Sequence, residues 1–311
     1  MALFSFDLTI GLPHTNYNQL AEHLLMMHLG HFQWQAIAKS VRSPLSRLRA
    51  VDGGEVYATF YYIEERIPDG SPLTSFRLDD TISVLLQLRA FRNFAVDGRI
   101  IFDHTSRIDA AAIQTEADLL NAYAGSEYPS VRFANVFVTP HGGNAALKLA
   151  PPANASFDDL PPLPNAENAY NITRSAERAG TFGLFDMGWT CVNPTEPFAT
   201  SYTINPDRDS NGAGLVYFAN YFAFLDAAER PCLEQEFARC WPHALIPTRT
   251  LRFRQLAYFG NAELTDTIRT TIHLFQHETD PSLVGFRYVI NRERDQATIC
   301  LSEAIKSLRL T

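Results

Sequence analysis

The stretch Asp209–Ala228, DSNGAGLVYFANYFAFLDAA, decides how the rest of the chain is read. From Gly212 onward it is apolar nearly all round. A helix of that kind has no polar face to turn to water, so other elements must wrap it. The pattern predicts a helix from about Gly212 to Ala228. Asp209 or Asn211 is placed to cap it, and Gly212 allows a ligand to approach the backbone. The first-turn N–H groups of a helix have no intrahelical partner and sit at the positive end of its dipole, so they can hold a carbonyl oxygen on which negative charge develops. Taken alone, a D-x-N-G motif is an ordinary N-cap. The apolar body that follows is what points to a helix end facing a crevice.

Outward from this helix, the second half reads as strands over Thr250–Phe259, Leu264–Leu274, Gly285–Ile290 and Ala297–Ala304. The first half has the same plan. An apolar helix from about Tyr17 to Leu29 precedes strands at Val56–Ile63, Leu78–Leu88, Ile100–Phe102 and Val131–Val138. LDDTISVLLQL (Leu78–Leu88) and LTDTIRTTIHL (Leu264–Leu274) both open on a polar turn around an aspartate and continue as a β-branched strand. Between the halves, residues 150–168 carry Pro151, Pro152, Pro161, Pro162 and Pro164; proline cannot join a sheet ladder, and this stretch reads as an extended linker. One hydrophobic helix followed by long strands, twice, describes an α+β chain with two long antiparallel sheets, each wrapped around a central apolar helix. That is a double hot-dog, with halves at 1–149 and 169–311. A ferredoxin-like arrangement would need two helices per half.

Composition narrows the function. The 311 residues are 46 % hydrophobic with a formal charge of −8, and no Lys/Arg run provides a nucleic-acid groove or a membrane-binding surface. Arg42, Arg47 and Arg49 make only a small patch, most simply a solvated face. MALFSFDLTI lacks a basic leader and turns polar quickly, which points to a cytoplasmic protein without signal peptide or membrane span. Its N-x-S/T sequences then carry no meaning. Cys191, Cys232, Cys240 and Cys300 lack metal or disulfide spacing, so neither a metal nor a cofactor is expected. No phosphate loop, G-x-S-x-G or H-E-x-x-H occurs.

Two further features could carry chemistry. Tyr57, Tyr61 and Tyr62 cluster in one strand, where alternation puts Tyr57 and Tyr61 on one face and Tyr62 on the other. Core packing is the plain reading of strand tyrosines, and a nucleophilic phenol would need a base or an oriented dipole. His14 precedes the first helix, and a lone histidine is more often structural.

Asp209–Phe222 (DSNGAGLVYFANYF) resembles the signature helix of the bifunctional acyltransferase/decarboxylase family of leinamycin-type polyketide biosynthesis. Gly11-Leu12-Pro13-His14, Leu20-Ala21-Glu22, the Leu29-Gly30…Trp34 run, Phe60-Tyr61-Tyr62 and Tyr258-Phe259-Gly260-Asn261-Ala262 look like further blocks of that family. The resemblance spans both halves. It implies a double hot-dog enzyme that takes a methylmalonyl group from coenzyme A onto a tyrosine oxygen, decarboxylates it, and delivers propionyl to the phosphopantetheine thiol of an acyl carrier protein. On this chain Tyr61 would be the acylated residue, with Tyr62 and Tyr57 as alternatives. Asn211 and Gly212 would stabilise the enolate, and His14, Gly212, Ala213 and Asn261 would bind substrate. The segment from Ile63 to Leu78 matches no block. A hot-dog thioesterase or dehydratase is the alternative, disfavoured because Gly212–Phe224 holds no acid or histidine. A non-catalytic module that binds carrier protein is a third.

Overall fold

β-Branched and aromatic runs with a period of two make the long strands. A computed structural model describes residues 3–16, 19–109, 111–141, 143–237 and 240–309, which divide into two units. The first comprises Met1–Gly142 with Leu147–Tyr170, and the second Gly143–Ala146 with Asn171–Thr311.

In the first unit the elements are β1 (Leu3–Thr9), α1 (Glu22–Ser40), β2 (Tyr57–Arg66), β3 (Thr81–Phe91), β4 (Ala95–His104), α2 (Glu116–Gly125), β5 (Ser130–Pro140) and β6 (Leu147–Leu149). The sheet order is β1-β3-β4-β5-β2, antiparallel throughout, with β6 alongside β5. The buried residues of α1, among them Leu25, Met26, Leu29, Gln33, Ala36 and Ile37, recur at helical spacing. They seat it on one face of the sheet: Trp34 packs on Phe60 at 5.3 Å, and its indole N–H donates to the Ala58 carbonyl at 3.1 Å. The other face is covered by α2, whose Leu119 and Tyr123 pack on Leu85, Ile101, Ile108 and Ile113. The apolar period carries α1 to Ser40, beyond the expected end at Leu29. Of its expected start, Tyr17 and Asn18 lie outside the described residues, and Ala21 is still extended.

The second unit holds α3 (Ala169–Ala179, opening at the boundary), β7 (Trp189–Cys191), β8 (Phe198–Thr203), α4 (Pro206–Asp209), α5 (Asn220–Glu236), β9 (Thr250–Tyr258), β10 (Thr267–His277), β11 (Leu283–Arg292) and β12 (Ala297–Ser307). Its order is β9-β12-β11-β10, and β7 and β8 pair with successive stretches of β10. The core helix α5 buries Tyr221, Phe222, Phe224, Leu225, Ala228, Glu229, Cys232 and Leu233.

The duplication runs deeper than the strand pattern. Pairing registers match between the units: Ile82 faces His104 as Ile268 faces Arg292, and Val96 faces Asn135 as Val284 faces Lys306. At that shared position each core helix makes a buried polar tie. Gln33 Nε2 donates to Asn135 Oδ1 at 2.5 Å, and Lys306 Nζ donates to both Glu229 oxygens at 2.7 and 2.9 Å. Gly98 makes room for the first tie, since a Cβ there would stand 1.9 Å from Gln33 Oε1.

The proline-rich stretch packs within the first unit, burying Phe157, Leu160 and Leu163. Near its end, Pro161 O accepts from Ala90 N and Leu163 N donates to Ala90 O, which fixes residues 161–168 against the end of β3.

Candidate active site

Tyr61 sits at a break in its strand. Phe60 pairs with Asn135 and Tyr62 with Ala134, so Tyr61 is the extra residue of a β-bulge. Phe60, opposite Asn135, faces α1. The bulge turns both Tyr61 and Tyr62 to the other face, against the strict alternation expected from sequence. The Tyr61 hydroxyl, buried, donates to Asn168 Oδ1 at 3.1 Å, and the same oxygen accepts from Tyr170 N at 3.0 Å. Burial, and then the charge of Asp97, push this phenol well above its ordinary value; Arg132 pulls the other way.

Beneath Tyr61 lies an ion cluster spread over three strands. Arg132 Nε on β5 donates to Asp97 Oδ2 on β4 at 2.7 Å, and Arg132 also reaches the Glu167 carbonyl. Arg99 Nε stands 3.5 Å from Asp97 Oδ1, and Arg99 pairs with the Glu167 carboxylate as well. Arg89, on β3, completes the group 3.6 Å from Glu167. Sequence reading missed these residues because they are far apart along the chain.

The other two tyrosines are already engaged. Tyr57 donates to Glu55 at 2.5 Å at the surface, and Tyr62 to Glu64 at 2.8 Å, a carboxylate also held by Arg66.

The expected oxyanion cradle is not formed where the sequence put it. α5 begins at Asn220, not Gly212, and its first N–H groups donate into the preceding turn: Asn220 to Tyr217, Tyr221 to Phe218 and Phe222 to Ala219. Residues 209–217 instead close on themselves. Asn211 Oδ1 accepts from Ala213 N and Leu215 N, Asn211 N donates to Leu215 O, and Ser210 bridges Val216. Gly212 is exposed with open space about it, and Gly214, at φ +72°, carries the turn. Asp209, almost fully buried, receives Tyr202, Asn205 N and Arg208. Leu215, Val216 and Phe218 are buried, but in a turn rather than a helix.

Asn261 meets the start of α5, accepting from the Tyr221 hydroxyl at 3.1 Å, while its carbonyl accepts from Arg292. His14 Nδ1 accepts from Gly11 N at 2.8 Å, which leaves its Nε2 to carry the proton that it shares with His28 Nε2 at 3.1 Å. Among the described residues no hydrogen bond joins Asn261 to Asn211, or His14 to Tyr61.

The true span of α5 also removes the ground on which hydrolysis was disfavoured, since it carries Asp226 and Glu229. Glu229 is fully buried and held by Lys306, Arg249 at 2.6 Å and Tyr288 at 2.5 Å. Burial alone would raise its pKa, but Lys306 and Arg249 outweigh that and hold it well below the usual carboxylate range. Among the described residues no group of three or more His, Cys, Asp or Glu is placed to hold a metal, and no helix is long and apolar enough to cross a membrane.

No protein-family model and no curated protein sequence matches the chain. Solved structures do. An acyl-ACP thioesterase from Bacteroides thetaiotaomicron is similar over 98 % of both chains, with a TM-score of 0.60 at 12 % identity. A putative oleoyl thioesterase from Lactobacillus plantarum matches 99 % of this chain and 95 % of its own, at TM-score 0.62 and 10 % identity. A 12:0-ACP thioesterase from Umbellularia californica matches 99 % and 94 %, at 0.60 and 10 %. At such identities the likeness speaks for the fold, and the fold is the α+β double hot-dog.

Proposed function

We propose that the chain is an enzyme of acyl thioesters, with Tyr61 as its acyl acceptor. The observation that carries this reading is the bulge, which takes Tyr61 out of the strand alternation and sets its phenol beside Arg132 and Asp97. Bulges re-aim single side chains in this way next to active sites. The phenol is protonated at neutral pH, so attack requires its proton to leave as the oxygen adds, and Arg132 supplies the positive charge that favours the emerging oxyanion.

The substrate is a methylmalonyl-type thioester of coenzyme A. The Tyr61 oxygen attacks the thioester carbonyl carbon, the C–S bond breaks, and the coenzyme A sulfur leaves with the phenolic proton. The bond from the α carbon to the carboxylate then breaks; its electron pair stays on the α carbon as the ester enolate, and carbon dioxide departs. A proton from water completes the propionyl ester. The phosphopantetheine thiol of an acyl carrier protein attacks that ester, and its proton returns to the Tyr61 oxygen.

Hydrolysis is the second reading, brought by what the similar structures are named for and by the carboxylate on α5. Glu229 accepts on both oxygens from cations and a phenol, which suits an anchor better than a base. Incubation with methylmalonyl-coenzyme A and carrier protein, followed by intact mass measurement of the carrier, tests the proposal. Propionyl-carrier and released carbon dioxide are expected; free acid with an unmodified carrier would overturn transfer in favour of hydrolysis.

A further inference from the structure

The face of the first unit that carries Tyr61 gathers three guanidinium groups around two carboxylates. Arg89, Arg99 and Arg132 stand against Asp97 and Glu167. The neighbouring Glu64 is paired with Arg66, while Glu116 accepts from the neutral Gln87 amide and keeps its charge. Arg89 Nε is buried without a hydrogen-bond partner, and a buried charged donor left unsatisfied is costly; Arg99 Nε has only the long 3.5 Å approach to Asp97 Oδ1.

The second unit shows what a closed version of this face looks like. At the register positions of Arg99 and Arg132 it has Arg287 and Glu303, paired at 2.5 Å. Glu303 also accepts from Thr181 and from Leu184 N. At the position of Asp97 stands Gly285, and the Phe185 ring fills the space, 2.5 Å from where a Cβ would be. One cation meets one anion there under an aromatic lid. In the first unit the lid is replaced by Glu167, whose side chain is 38 % exposed and whose carboxylate comes from the proline-rich stretch, not from the sheet.

We propose that Arg89 and Arg99 form a carboxylate-binding subsite, and that Glu167 is its exchangeable internal occupant. The ligand class is an acyl group with a free carboxylate, so the inference rests on the Tyr61 reading and names the substrate feature that it selects. On binding, the ligand carboxylate displaces Glu167 from Arg99. When carbon dioxide leaves, Glu167 returns to the guanidinium groups, so that loss of the ligand charge does not leave them unpaired. A fixed clamp on the carboxylate would stabilise the ground state and slow decarboxylation; competition from Glu167 lowers that stabilisation.

The test is a nuclear magnetic resonance titration of the whole chain with monomethyl malonate, methyl propionate and inorganic phosphate. Monomethyl malonate should bind at least tenfold more tightly than its uncharged counterpart. Glu167→Gln removes the competitor and should tighten it about tenfold, and Arg99→Gln should weaken it by as much. Equal binding of the two esters, an unchanged Kd in Glu167→Gln, or phosphate binding as tightly as the monoester would each overturn the assignment. A misfolded Arg99→Gln protein leaves the Glu167→Gln arm decisive. Because no turnover is involved, Tyr61→Phe should titrate as wild type; a loss of acyl transfer with this titration intact refutes the Tyr61 chemistry alone.

Discussion

Replacing Glu229 by Gln probes what holds α5 to its sheet. The carboxylate accepts two hydrogen bonds from Lys306, one from Arg249 and one from Tyr288, at 2.5 to 2.9 Å, with no exposure to water. Gln keeps the shape but removes the charge, turning one acceptor into a donor that faces a cation or a phenol. Breaking one side of a buried ion pair costs about 3–5 kcal/mol, mostly from the charge left behind. Lys306 is buried, but Arg249 is partly open to solvent, which places the expectation near the lower end, about 3 kcal/mol. With a urea slope of about 2 kcal/mol per molar, the midpoint should fall by roughly 1.5 M. A pH series adds a signed arm. The folded pKa of Glu229 lies below its ordinary value of 4.5, so its contribution is complete above that value and is lost as pH falls towards the folded one. Wild-type stability should therefore drop below about pH 4.5, with a flatter profile in Glu229→Gln. A change within about 0.5 kcal/mol, the range of ordinary surface substitutions, would rule out Glu229 as a buried anchor. So would parallel pH profiles.

Other outcomes follow from the same contacts. Gly98→Ala should destabilise by about 1–3 kcal/mol, because the new methyl displaces the Gln33 amide from Asn135, and pairing it with Gln33→Ala should recover part of the loss in urea unfolding. Gly212→Ala should leave stability within about 0.5 kcal/mol, since a Cβ there meets open space; a larger loss would show that the glycine serves the turn. Burial raises the phenols of Tyr61, Tyr221 and Tyr288 above the ordinary value of about 10, so their contribution to stability is complete below it and lost as pH rises further. In an alkaline titration their phenolate absorbance should appear together with unfolding; full ionisation of a still-folded protein near pH 10 would contradict the burial argument.

Much of this fold is legible in the chain. The β-branched period of Thr81–Phe91 and Thr267–His277 marks two equivalent strands, and the helical spacing of Leu25, Met26 and Leu29 marks α1. The start of α5 is not legible, because Leu215, Val216 and Phe218 are as apolar as a core helix and are buried too, in a turn that Asn211 ties with its own side chain. Hydrophobicity reports burial, not the conformation that achieves it. The site is harder still. The bulge at Tyr61 exists only relative to β5, and the ion cluster forms only when residues 89, 97, 99, 132 and 167 are brought together by pairing over long sequence distances.

In the proposed reaction Tyr61 carries the acyl group. Rapid quenching after mixing with methylmalonyl-coenzyme A in the absence of carrier, followed by peptide mass mapping, reads it directly. An acyl mass increment is expected on the peptide containing Tyr61, absent in Tyr61→Phe and retained in Tyr57→Phe. Turnover without any covalent adduct, or an adduct on a different residue, would contradict it.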